Sequence, residues 1–140
     1  MISYIITLQE QDFEQMVKVY ESVGWMGHDI EKVRTIYENS SHIVIAKHSN
    51  QVVGFARALS DGVFNAAIYD VVVHPNYQGQ GIAKNLVQQL LEQFESLSCI
   101  HLFATTGNEA FYKKLGFKKL TTAMAVYHKP HLEVDIQNNV

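Results

Sequence analysis

The residues best suited to chemistry lie together in Val71-Val72-Val73-His74-Pro75-Asn76-Tyr77-Gln78-Gly79-Gln80-Gly81-Ile82-Ala83-Lys84. After its two glycines, Ile82, Ala83, Leu86, Val87, Leu90, Leu91 and Phe94 recur at helical spacing. A helix that starts there presents free amide donors and the positive end of its dipole, which suits a phosphate or pyrophosphate. Gly79 and Gly81 carry no side chain to hold an anion off the backbone, and Lys84 adds a cation one turn in. The same spacing is also met by a plain strand-to-helix turn. Neither G-x-G-x-x-G nor G-x-x-x-x-G-K-[ST] fits here.

The elements that must hold this stretch can be read from periodicity and breakers. Ile2 to Leu8 reads as a strand ending at Thr7, and Thr7 with Glu10 has capping-box spacing. Phe13, Met16, Val17 and Tyr20 then predict a helix from about Gln9 to Ser22. Val23-Gly24-Trp25-Met26-Gly27-His28 interrupts it, and Asp29 caps a second helix with Ile30, Val33, Ile36 and Tyr37 on its apolar face, ending near Asn39. Ile43 to His48 and Val52 to Leu59 form a hairpin through Ser49-Asn50-Gln51, and Ser60-Asp61-Gly62 turns the chain into a strand from Asn65 to Val73. Cys99 to Thr105 follows a helical crossover and is expected parallel to that strand. A short helix from about Asn108 to Leu115 ends at Gly116, and Phe117 to Leu120 and Ala123 to Lys129 read as a last pair of strands. Beyond Pro130, Leu132, Val134 and Ile136 alternate with polar residues as an edge strand at a dimer contact would.

The order is β-α-α-β-β-β-α-β-α-β-β. It predicts an α/β (α+β) fold with a central mixed, mostly antiparallel twisted sheet of about six or seven strands flanked by helices. One domain spans residues 1–140, with 131–140 as a tail.

Gln78-Gly79-Gln80-Gly81-Ile82-Ala83 matches letter for letter the [QR]-x-x-G-x-[GA] signature of the GNAT superfamily of N-acetyltransferases. Tyr69-Asp70-Val71-Val72-Val73-His74-Pro75 resembles that family's fourth strand and its exit, and Phe111-Tyr112-Lys113-Lys114-Leu115-Gly116-Phe117 resembles its downstream F-Y-x-K-L-G-F block. With the element order, the resemblance covers roughly residues 1 to 128. It implies the GNAT fold and acetyl-CoA as co-substrate. It also implies that the amides of Val71 and Val73, with Val72 between them, bind the acetyl carbonyl and the pantetheine arm. Gln78, Gly79, Gln80, Gly81, Ile82, Ala83 and Lys84 would hold the pyrophosphate, with Phe111 also at the cofactor.

Acetyl transfer needs a proton acceptor for the amine and a proton donor for the leaving sulfur. By resemblance the donor is Tyr112. A phenol and a thiol have ordinary pKa values of ~10 and ~8.5, close enough for a positioned tyrosine to serve. Packing against the cofactor is its alternative role. Relatives that place a Glu or His base on the fourth strand do so at positions held here by Ala67 and Tyr69. Asp70 is the remaining strand carboxylate. Alternation turns it away from Tyr69 and Val71 unless a bulge intervenes, and a buried, paired Asp70 is the other reading. His101, His28 or a chain of waters are further alternatives. The family asparagine seven residues before the tyrosine is replaced by Thr105, leaving Asn108, four before it, as a cofactor contact.

The acceptor wall, by the same resemblance, draws on Trp25, Met26 and His28, with Arg57 and Tyr69 nearby; packing is the competing role of Trp25. The stretches around Val53, Ser60 and Tyr69 are similar to small-amine, arylalkylamine-type members. A protein or peptide acceptor, or a non-catalytic acetyl-CoA-binding module, are the alternatives.

A formal net charge of -3 argues against a dedicated nucleic-acid binder. Cys99 is the sole cysteine, so no internal disulfide can form. No apolar run approaches the ~20 residues of a membrane span, and the expected setting is a cytoplasmic monomer or homodimer without a metal or membrane partner. His128-x-x-His131 lacks a third ligand.

Overall fold

A computed structural model describes residues 1–129 and 131. Its elements are β1 Ile2–Ile5, α1 Glu10–Ser22, α2 Ile30–Glu38, β2 His42–His48, β3 Gln51–Ser60, β4 Asn65–Val73, α3 Ile82–Gln93, β5 Cys99–Leu102 and α4 Glu109–Lys114. Packing divides the chain into two compact units, Met1–Phe103 and Ala104–Val140. The first contains a mixed sheet in the order β1-β2-β3-β4-β5. Neighbours are antiparallel as far as β4, and β5 lies parallel to β4, with α3 as the crossover that such a pair requires.

The fold class stands, with two corrections to the strands. Phe117–Leu120 and Ala123–Lys129 form no strand, so the sheet of the described residues has five strands, not six or seven. Apolar residues favour a strand only where a ladder partner and a face to pack on exist, and Leu120, Met124 and Val126 are exposed instead. β5 stops at Leu102, not at Thr105. The expected edge strand around Leu132 lies outside the described residues.

Helix ends follow local chemistry. Asp29 accepts the Lys32 backbone N–H at 2.8 Å and starts α2 as expected. At α1 the reciprocal pair is Gln9 and Asp12 in place of Thr7 and Glu10, because the helix begins at Glu10, two residues later than a Thr7 cap would start it; Asp12 Oδ2 accepts the Gln9 N–H at 2.8 Å. The other Asp12 oxygen meets Lys47 Nζ at 2.8 Å, a buried ion pair that ties α1 to β2.

One face of the sheet packs Ile45, Val52, Phe55 and Val72 against Phe13, Met16, Val19 and Tyr20 of α1 and Val33 and Tyr37 of α2. The opposite face receives α3. A Cβ built on Gly54 would lie 3.0 Å from the Val72 carbonyl oxygen and 3.3 Å from Val73 Cγ2, so this glycine lets β3 and β4 approach closely beneath α3. Among the described residues no helix is long and apolar enough to cross a membrane.

Candidate active site

The exit of β4 is built by a chain of short bonds. His74 N–H donates to the Val53 carbonyl of β3 at 2.8 Å, Pro75–Tyr77 makes one 3₁₀ turn, and Gln78 Nε2 returns to donate to the Val73 carbonyl at 2.9 Å. Gly79 and Gly81 follow at φ 78° and 81°, the left-handed region that a side chain disfavours. A Cβ built on either would meet no atom within 4 Å, so both open onto free space. Gly81 is the N-cap of α3, leaving the first-turn amides without a side-chain cap. Lys84 is exposed and has no ion-pair partner among the described residues. The geometry is that of an open anion cradle at a helix N-terminus.

The neighbouring strand edge is split. β5 pairs with β4 only from Asn65 to Ile68, so β4 runs on from Tyr69 to Val73 without it. Because His74 N–H points to β3, alternation turns the N–H and C=O of Val73 to the β5 side. Gln78 occupies that carbonyl, and the Val73 N–H remains as a donor on the split edge.

At the start of the split the strand bulges. Phe55 pairs with Val72 and Arg57 with Tyr69, so Ala56 alone faces both Asp70 and Val71. Asp70 absorbs the extra residue with φ 53°, a conformation that Asp tolerates better than most side chains. Its carboxylate is turned into a half-buried cluster. Tyr20 O–H donates to Asp70 Oδ2 at 2.9 Å, and Arg57 Nε donates to the same oxygen at 2.9 Å. Tyr20 and Tyr37 hydroxyls are 3.0 Å apart; with the Tyr20 proton committed to Asp70, Tyr37 is the donor to Tyr20. Arg57 also reaches Ser40 Oγ at 3.3 Å and lies 4.9 Å from the centre of the Tyr69 ring. Oδ1 of Asp70 has no partner among the described residues.

Burial, and then the charge of Asp70, holds the Tyr20 phenol well above its ordinary pKa, and burial does the same for Tyr37. Both therefore stay protonated as donors. His28 lies face to face on Tyr20 at 3.9 Å between ring centres, and Trp25, 40% exposed, stacks on the same ring at 5.7 Å. Burial lowers the His28 pKa, opposed by the charge of Asp70. His28 also lines a depression of about 430 Å³ with Gly27, Glu31, Lys32, Thr35 and Ile36.

The second unit carries Tyr112 on α4. Phe111 and Phe117 meet its ring edge-on at 5.0 and 5.7 Å, and the Phe117 N–H donates to the Tyr112 carbonyl at 3.1 Å after Gly116 turns left-handed at φ 99°. Burial raises the Tyr112 phenol above its usual value, so it holds its proton. Asn108 is the N-cap of α4, with no hydrogen bond from its side chain to the helix.

Of the residues singled out from sequence, Trp25, Arg57, Tyr69 and Asp70 come together, Val71 to Val73 form the split edge, and Gln78 to Lys84 form the cradle. Asn108, Phe111 and Tyr112 share the second unit. His101 stands opposite Ala67 on β5, beside a separate depression of about 290 Å³. Tyr20 and Tyr37 escaped notice because helical spacing explains them as core. Their one signal was chemical: both are tyrosines at positions where a phenylalanine would bury no hydroxyl.

A strand-edge donor and an open helix N-terminus fit a phosphate-bearing acyl donor, and similarity to known proteins gives the class. The model of the Acetyltransferase (GNAT) family matches residues 5–117. A relative in Pyropia yezoensis, "Uncharacterized N-acetyltransferase ycf52", is 41% identical over 122 residues, which is 83% of this chain and 70% of that protein. "Histone acetyltransferase TAP1" of Glycine max is 35% identical over 121 residues, 76% of this chain and 52% of that protein. The solved structure of the GNAT family acetyltransferase SP0256 from Streptococcus pneumoniae superposes with a TM-score of 0.76 at 26% identity, covering 92% of this chain and 100% of that one. The chain belongs to the GNAT family and is an N-acetyltransferase, and members of that family use acetyl-CoA as co-substrate.

Proposed function

We propose that the chain transfers the acetyl group of acetyl-CoA to the primary amine of a small molecule, by direct attack while both substrates are bound. The observation that carries this reading is the bulge in β4, which leaves an open carboxylate oxygen, Asp70 Oδ1, at the head of the split edge. The half-exposed faces of Trp25 and Tyr69 beside the cluster support a small, aromatic-bearing acceptor.

The open cradle at Gly79 and Gly81 fits the pyrophosphate, held by Gln78, Gly79, Gln80, Gly81, Ile82, Ala83 and Lys84. Val71, Val72 and Val73 take the pantetheine arm, and Asn108 and Phe111 contact the cofactor. Acetyl-CoA supplies the thioester carbonyl, and a strand N–H aimed at its oxygen stabilises the negative charge that develops there. An amine of pKa ~10 is about one part in a thousand neutral at pH 7, and the neutral form is the one that attacks. As its nitrogen bonds to the carbonyl carbon, it passes a proton to Asp70 Oδ1. The C–S bond breaks with its electron pair on sulfur, and Tyr112 O–H protonates that sulfur. The products are the N-acetyl amine and coenzyme A.

A protein lysine as acceptor is the second reading, favoured by the printed name of the soybean relative. Calorimetric titration with acetyl-CoA, paired with thiol release over tryptamine, 2-phenylethylamine, spermidine and a lysine peptide, decides among them. Highest kcat/KM on a small amine is expected. A preference for the peptide would transfer the case to the second reading, and acetyl-CoA binding without turnover on any amine would sink both.

A further inference from the structure

We infer that Tyr20 is a positioning residue of the transfer reaction, fixing Asp70 by its Oδ2 so that Oδ1 is the oxygen that meets the acceptor amine. The inference rests on the reading of Asp70 as proton acceptor. Its geometric basis is independent of that reading and lies wholly in the first unit.

An aspartate carboxylate turns easily about its terminal torsion, so one hydrogen bond orients it poorly. Here Tyr20 O–H and Arg57 Nε both converge on Oδ2 at 2.9 Å, which fixes the carboxylate plane and leaves the second oxygen open. The backbone holds the same residue at φ 53°, a left-handed conformation that costs some free energy even for Asp and turns its side chain into the cluster.

Two buried hydroxyls are needed to build this. Tyr20 is fully buried and Tyr37 nearly so, and a hydroxyl taken out of water destabilises the fold unless it is bonded. Phenylalanine at both positions would fill the same core. The pair is satisfied only as a relay, Tyr37 to Tyr20 to Asp70, so its polar ends serve the carboxylate and not the packing. The ring of Tyr20 also underlies His28 and Trp25, which makes one side chain common to the acceptor wall and the carboxylate.

Tyr20→Phe keeps the ring and deletes the bond. With tryptamine as acceptor, or the panel amine of highest kcat/KM where that is another, the variant is expected to lower kcat about tenfold, the scale of a small misplacement of a catalytic group, with the KM for acetyl-CoA within about twofold. Asp70→Asn lowers kcat further, and the double variant Tyr20→Phe/Asp70→Asn is no slower than Asp70→Asn alone, because Tyr20 acts through the carboxylate. Should Tyr20→Phe fold poorly, Tyr37→Phe tests the same relay from its far end and is expected to lower kcat about two- to threefold. A Tyr20→Phe protein with a lower Tm and normal kcat, or an equal loss when Tyr20→Phe is added to the Asp70→Asn variant, overturns the inference while leaving Asp70 as acceptor. Wild-type kcat in Asp70→Asn overturns the Asp70 reading itself, and the inference with it.

Discussion

Gln78 Nε2 and the Val73 carbonyl oxygen, 2.9 Å apart, close the anion cradle onto the last residue of β4. The glutamine of the signature thus acts as an internal strut beside the proposed pyrophosphate site. Gln78→Leu removes the donor and should raise the KM for acetyl-CoA several-fold, since a hydrogen bond of this kind is worth about 1 kcal/mol. Gln78→Glu should raise it more, because a carboxylate cannot donate to a carbonyl and sets a negative charge beside the pyrophosphate. Steady-state kinetics on the two variants checks the order.

Gly81 combines a left-handed backbone with open space in front of it. Gly81→Ala should destabilise the fold by about 1–2 kcal/mol from the backbone alone. The new methyl also enters the open space proposed for the pyrophosphate, so the Kd for coenzyme A should rise at least about tenfold by calorimetry. A normal Kd would remove the cradle assignment.

Tyr112→Phe keeps the ring that Phe111 and Phe117 pack against and loses the proton. We expect kcat to fall by about two orders of magnitude, the usual contribution of a general acid, with a much smaller change in the KM for acetyl-CoA. Unchanged kcat would end its role as the acid.

Lys47 and Asp12 form a buried pair; without Lys47, Asp12 would keep only the Gln9 N–H on its other oxygen among the described residues. Lys47→Met strands the Asp12 carboxylate and should cost about 3–5 kcal/mol in urea unfolding. Activity per folded molecule should stay near wild type, since the pair lies away from the split edge.

His28 sets an acid limit on stability. Its pKa is lowered by burial in the fold, so as pH falls through the ordinary imidazole value of about 6.5 the unfolded chain gains a proton there before the folded one does. The contribution is present above that pH and is lost below it. Melting temperatures measured from pH 8 down to pH 5 should decline below about pH 6.5, and His28→Gln should flatten part of the decline.

The cradle was legible because its requirements are local: glycines for a left-handed turn, a breaker before it, and a helical stripe after it. Asp29, Gly116 and the β2–β3–β4 meander were legible for the same reason. The bulge at Asp70 was not, because β-pattern alternation describes a regular ladder and the extra residue shows only in the pairing with β3. Tyr20 and Asp70 stand fifty residues apart, and nothing in either neighbourhood announces the other. The last two strands failed for the reverse reason, since apolar residues without a ladder partner satisfy the pattern and still form no strand.

Trp25 is the only tryptophan of the chain, and it lies half-exposed on the ring that His28 shares. Selective excitation of tryptophan therefore reads one surface, the wall between α1 and α2, with no background from elsewhere. If the proposed acceptor site lies at that wall, its emission offers a label-free optical signal for an arriving acceptor, to be compared with the response to coenzyme A alone, so the order in which the two substrates bind can be timed in a mixing experiment before any product forms.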